Sequence, residues 1–201
     1  MAAIANFCLY QLGWFACVLG AGMDRPGLGM TCALALVIVH LWLTRATLRQ
    51  LAVMATAGVI GLTSDTLQMW WGVFYFPHGT IVDWFAPLWV GVLWIQFATL
   101  LPFSLRWLSR RYWLSAALAL VGGPLAYYAG EKAGAVEFLA PRLLHFAVLG
   151  VVWSIAFPAL LWISDRLDLV AVVGGRYCLP WGESRTPQTA TNSTRRADGA
   201  D

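Results

Sequence analysis

The sequence predicts an all-α fold, a polytopic integral membrane bundle of about six transmembrane helices with both termini in the cytoplasm. Composition comes first. Of 201 residues, 60% are hydrophobic and 11% are charged, with a mean hydropathy of +0.68. A soluble domain carries about 25% charged residues. The 13 basic and 10 acidic side chains here cannot cover a water-facing surface of this size. A disordered chain is excluded for the opposite reason, since it would be poor in apolar residues. The second observation is six apolar windows near the ~20 residues a spanning helix needs, over 3–23, 27–44, 51–76, 84–104, 112–130 and 142–164. They are apolar all round and lack the alternation of a barrel strand. The third is the distribution of Lys and Arg.

The elements follow in order. Span one has no basic segment before it and is longer than a signal core, so it is read as retained. Asp24-Arg25-Pro26 closes the first turn, with Pro26 suited to open the second helix. Arg45 and Arg49 separate spans two and three, and Pro77-His78-Gly79 ends span three. Asp83 is placed to cap span four before Pro87. Arg106, Arg110 and Arg111 precede span five, which Gly122-Gly123-Pro124 should kink. Pro102 and Pro158 should bend spans four and six. Glu131-Lys132 ends span five and Pro141 opens span six. Trp84, Trp107, Tyr112, Trp113 and Trp162 mark borders, as interfacial aromatics do. Residues 166–182 read as a cytoplasmic interfacial segment and 183–201 as a disordered cytoplasmic tail.

Six crossings put the loops at 45–50 and 105–111 and the tail on one side. That side holds Arg45, Arg49, Arg106, Arg110, Arg111, Arg166, Arg176, Arg185, Arg195 and Arg196; the other holds Arg25, Lys132 and Arg142. The excess is cytoplasmic, which gives an N-in, C-in orientation.

Motifs exclude more than they assign. Cys8, Cys17, Cys32 and Cys178 form no CxxC, and His40, His78 and His145 form no HExxH or histidine box. There is no GxGxxG and no Walker sequence, so no cofactor, metal or nucleotide is expected, and no nucleic-acid partner. What remains is polarity inside the spans. Asp65 lies about 20 Å into span three at 1.5 Å per residue, where an ionised carboxylate costs about 2.5–3.5 kcal/mol on insertion scales. Gln68 shares its helical face. Tyr127 and Glu131 end span five, and Arg142 and His145 start span six, at the same depth. Together they suggest a proton relay, an acid–base site or a headgroup pocket. In that reading Asp65, Tyr127, Glu131 and His145 are the catalytic candidates, and Arg142 and Gln68 hold the substrate. Alternatively Asp65 fastens helices by pairing with Arg142 or with hydroxyls. Asn6, Gln11, Gln96 and Thr99 read as interhelical hydrogen-bond glue.

Asn6-Phe7 through Gln11-Leu12-Gly13-Trp14-Phe15-Ala16-Cys17, Gly61-Leu62 with Asp65, Ala86-Pro87-Leu88-Trp89, Phe97-Ala98-Thr99, Ser104-Leu105-Arg106-Trp107-Leu108 and Gly122-Gly123-Pro124-Leu125-Ala126-Tyr127-Tyr128-Ala129-Gly130 together resemble the DUF2878 family over residues 5–165. The chain departs from that pattern at Leu101-Pro102-Phe103, where an Asn-His pair is expected. The resemblance implies a bacterial inner-membrane protein associated with membrane-lipid modification and photo-oxidative stress, with no assigned catalytic residue or cofactor. The leading expectation is a lipid-modifying or lipid-handling component whose partners are membrane lipids. A small proton-coupled transporter and a non-catalytic membrane partner subunit are the alternatives.

Overall fold

The computed structural model describes residues 2–173 and places six helices in them: α1 (Ala2–Gly22), α2 (Pro26–Thr44), α3 (Leu48–Trp70), α4 (Leu88–Ala98), α5 (Tyr112–Lys132) and α6 (Arg142–Val173). Two short strands, β1 (Phe74–Tyr75) and β2 (Glu137–Phe138), pair antiparallel with Phe74 opposite Phe138. By length and composition, α1, α2 and the 142–167 part of α6 are each able to cross a membrane. Large apolar side chains stand outward, among them Trp42, Leu48, Ile81, Trp113 and Leu143, while Asn6, His40, Asp65, Gln68, Gln96 and Ser115 are buried. This distribution suits a lipid-facing surface rather than a water-facing one. Tail residues 174–201, with Cys178, lie outside the described residues.

Two windows end earlier than the hydropathy suggests. Span three was expected to reach 76, but α3 stops at Trp70 because Gly72 takes φ +70°. Val73 N–H then bonds back to Gln68 C=O and Gly72 N–H to Met69 C=O, a Schellman stop that frees the chain for β1. Span four was expected over 84–104, but α4 holds only 11 residues, about 16 Å at 1.5 Å each. Pro87 rather than Asp83 is its N-cap. The Thr99 hydroxyl bonds back to Gln96 C=O at 2.7 Å, and Pro102 has no N–H to extend the helix. Turns and a 3-10 segment (Arg106–Leu108) complete the stretch. Pro102 therefore follows α4 rather than bending it, whereas Pro124 and Pro158 lie inside helices.

The irregular backbone after α4 needs partners for its polar groups, and polar residues of α1 and α2 pack against it. Asn6 Nδ2 donates to Thr99 C=O at 3.2 Å, and the Ser104 hydroxyl donates to Asn6 Oδ1 at 2.6 Å. His40 joins them, with Nδ1 3.3 Å from Asn6 Nδ2 and Nε2 2.9 Å from the Gln50 amide. Gln96 Nε2 donates to Leu9 C=O at 3.2 Å. The amides tie α1, α2, α3 and the end of α4 together.

Small residues bring the helices close, as in other membrane bundles. A Cβ on Gly20 would lie 2.9 Å from Gly29 Cα between α1 and α2. Gly58 and Gly61 of α3 receive Ile95 and Trp94 of α4, and Gly123 of α5 receives Trp153 of α6. At the far end, Asp24 pairs with His78 at 2.9 Å, and Thr66 accepts Ala86 N–H at 3.1 Å, which fixes the 71–87 connection.

Candidate functional site

The site grows from two glycines. Gly61 and Gly123 leave flat recesses in α3 and α5, and an indole fills each. Trp94 and Trp153 stack on one another between these recesses, with centroids 4.4 Å apart and planes at 18°. The stack aims the Trp94 indole N–H at Asp65, whose Oδ2 accepts it at 2.9 Å. Gln68 Nε2 donates to Asp65 Oδ1 at 3.4 Å and to Ser64 C=O at 3.3 Å. The Tyr127 side chain lies close to the same carboxylate. Asp65 is fully buried. Among the described residues, no Lys, Arg or His nitrogen lies within ion-pairing distance of it. A buried carboxyl group needs hydrogen-bond partners; here two neutral donors serve, Gln68 of α3 and Trp94 of α4.

Trp94 and Tyr127 separate Asp65 from a cleft of about 60 Å³. Tyr10, Trp14 and Val18 of α1 form one wall and Ala126, Tyr127 and Gly130 of α5 the other, with Trp89, Trp94, Phe97 and Trp153 between. The helices meet beyond it, where a Cβ on Gly22 would lie 1.8 Å from Ala133 O. Tyr10, Trp14 and Tyr127 are half-buried at its mouth. Outside it, Phe7, Phe15, Val121 and Leu125 face outward. Exposed apolar side chains therefore flank the cleft.

The six residues singled out from sequence separate into two groups. Asp65, Gln68 and Tyr127 come together. Glu131 and Arg142 instead form an ion pair with each other at the α5–α6 connection, and the Arg142 side chain is 53% exposed. Glu131 stands one turn past Tyr127, too near the helix end to face Asp65. His145 Nδ1 lies 2.9 Å from Leu139 C=O and holds the turn before α6. Neither Arg142 nor His145 touches Asp65, so the alternative in which Asp65 pairs with Arg142 is not what the structure contains. Trp94 and Trp153 were missed. Their signal is position: unlike the border tryptophans, both sit inside apolar windows, where an indole N–H needs an acceptor. Gly61 and Gly123 are a second signal, each seating one ring.

The described residues contain no group of three or more His, Cys, Asp or Glu able to hold a metal ion. Chemically, the arrangement offers a phenol facing an apolar cleft and a carboxylate behind it. Comparison with curated proteins and with solved structures gives no match. The family described as "Protein of unknown function (DUF2878)" matches over residues 3–159, and the chain belongs to that family.

Proposed function

We propose that the protein is a multi-pass inner-membrane component that binds and modifies membrane lipid, with Tyr127 as the group facing the lipid and Asp65 acting through it. The observation that carries this reading is the placement of Tyr127, which lines an aromatic cleft and lies close to the buried Asp65 carboxyl group behind it. Asp65 does not line the cleft, so it serves as a positioning and proton-holding residue. It accepts the Tyr127 hydroxyl proton and is itself oriented by Trp94 and Gln68. Water is scarce at such a site, which strengthens each of these hydrogen bonds. The acid–base role given to Asp65 is thereby divided between two residues, while Arg142, Glu131 and His145 hold the α5–α6 connection.

In this reading the chain crosses the bilayer six times, with α4 and the shielded turns after it forming the fourth crossing. The arginines at 45–49 and 106–111 face the cytoplasm by the positive-inside rule. The test is the membrane lipid profile of cells carrying wild type, Asp65→Asn, Tyr127→Phe or no protein. Both variants are expected to reproduce the profile of cells lacking the protein while remaining folded in the membrane. Variants that restore the wild-type profile would overturn the proposal.

A further inference from the structure

The end of the molecule remote from the cleft carries four exposed arginines: Arg106, Arg110 and Arg111 in the turns before α5, and Arg166 on α6. Tyr112, which opens α5, stands about 20 Å along that helix from the cleft wall at Ala126, at 1.5 Å per residue. Asp165 ties the two stretches together. Its Oδ1 accepts the Ser109 hydroxyl at 2.6 Å, and its Oδ2 accepts the Arg110 backbone N–H at 3.1 Å and the Tyr112 hydroxyl at 2.9 Å. Within this latch Arg110 takes a left-handed φ of +62°, and Arg110 and Arg166 both lie close to the Tyr112 hydroxyl.

Both Asp165 oxygens are thereby occupied by neutral donors. Among the described residues, none of the four guanidinium groups has a carboxylate within ion-pairing distance. Arg166 lies over the Trp162 ring, 5.1 Å from its centroid. A patch of like charge repels itself unless something negative covers it. Trp107, Trp113 and Trp162 stand exposed around this one, Trp113 at 92%. Exposed tryptophan at a helix border marks the headgroup level of a bilayer, and guanidinium groups match phosphate oxygens in bidentate pairs.

We propose that Arg106, Arg110, Arg111 and Arg166 form a binding site for the phosphate of an anionic phospholipid. Basic pockets between membrane helices recognise anionic headgroups in this way. A zwitterionic headgroup brings an ammonium group into the same positive field and is disfavoured. The site stands apart from the cleft and needs no chemistry there, so it goes beyond the lipid-modifying reading and does not rest on it.

The test titrates the full-length protein in detergent with phosphatidylglycerol or with phosphatidylcholine of the same acyl chains. Native mass spectrometry reads the dissociation constant of the bound lipid. Phosphatidylglycerol is expected to bind more tightly. Arg106→Gln, Arg110→Gln, Arg111→Gln and Arg166→Gln should each weaken it about fivefold, the worth of one basic residue near a lipid surface, and leave phosphatidylcholine unchanged. Arg25→Gln removes the same charge from the α1–α2 turn, beside the far end of α5 where Gly22 meets Ala133, and should change neither. Asp165→Ala separates a built site from mere charge. It removes a negative group from the patch, yet should weaken phosphatidylglycerol binding because Ser109, Arg110 and Tyr112 lose their common acceptor. Excess inorganic phosphate should not displace the lipid. Equal binding of the two lipids, an Arg25→Gln effect as large as that of the cluster variants, tighter binding to Asp165→Ala, or displacement by phosphate would each overturn the proposal. A lipid held against Tyr127 is untouched by the arginine variants, so the cleft reading stands or fails separately.

Discussion

Gly61→Ala adds one methyl group where the structure has no room. Its Cβ would lie 1.9 Å from Trp94 Cγ, 2.1 Å from Cδ1 and 2.3 Å from Cδ2. These are rigid ring atoms backed by the stacked Trp153, so the indole must leave or α3 and α4 must part. Overpacking of this kind costs about 1–3 kcal/mol. Losing the N–H bond to a buried carboxylate adds about 1.5–3 kcal/mol. Alanine's better helix propensity returns at most about 1 kcal/mol, so the net expectation is a loss of roughly 2–4 kcal/mol. Gly122→Ala is the matched control, because nothing lies within 4 Å of its Cβ. It should be neutral or slightly stabilising. Thermal unfolding in one detergent, followed by tryptophan fluorescence, reads both. Gly61→Ala with wild-type Tm would refute the account of how Trp94 is seated.

Gly123→Ala should displace Trp153, whose Cγ would lie 2.4 Å from the new Cβ, and change the near-UV circular dichroism of the indole pair. Glu131→Gln should cost under ~1 kcal/mol in unfolding experiments, since its partner Arg142 is more than half exposed. At the β1–β2 hairpin, the hydrogen bond to Glu137 holds the Tyr75 phenol above its usual range. With the folded value raised, that contact is fully present below the ordinary phenol range near pH 10 and is lost as pH rises through the folded value. Ultraviolet titration should show Tyr75 ionising late, and Glu137→Gln should bring it back toward the ordinary value.

Class was legible in the sequence because charge content and apolar length are bilayer constraints that act locally. Asp65 stood out for the same reason, as did its helical neighbour Gln68. The lengths of α3 and α4 were not legible from hydropathy. The stop after Trp70 depends on backbone geometry at Gly72, and residues 99–105 are apolar enough to pass for helix although Thr99 and Pro102 end it. The partners of Asp65 were half legible. Tyr127 shares its depth, but so do Arg142 and His145, and depth alone does not say which helix faces which. That was decided by small residues: Gly61 and Gly123 admit two indoles, and the stacked pair fills the space a charged partner would have needed. Reading glycines as seats for mid-span aromatics would have found Trp94 and Trp153.

The central claim is that the cleft between α1 and α5 holds a lipid against Tyr127. Native mass spectrometry of the purified protein tests it directly, with Ala126→Trp as the blocking variant, since Ala126 forms part of the α5 wall. A lipid should be retained by the wild type and lost from Ala126→Trp. A wild type that carries no lipid, or a variant that carries the same one equally well, would contradict it.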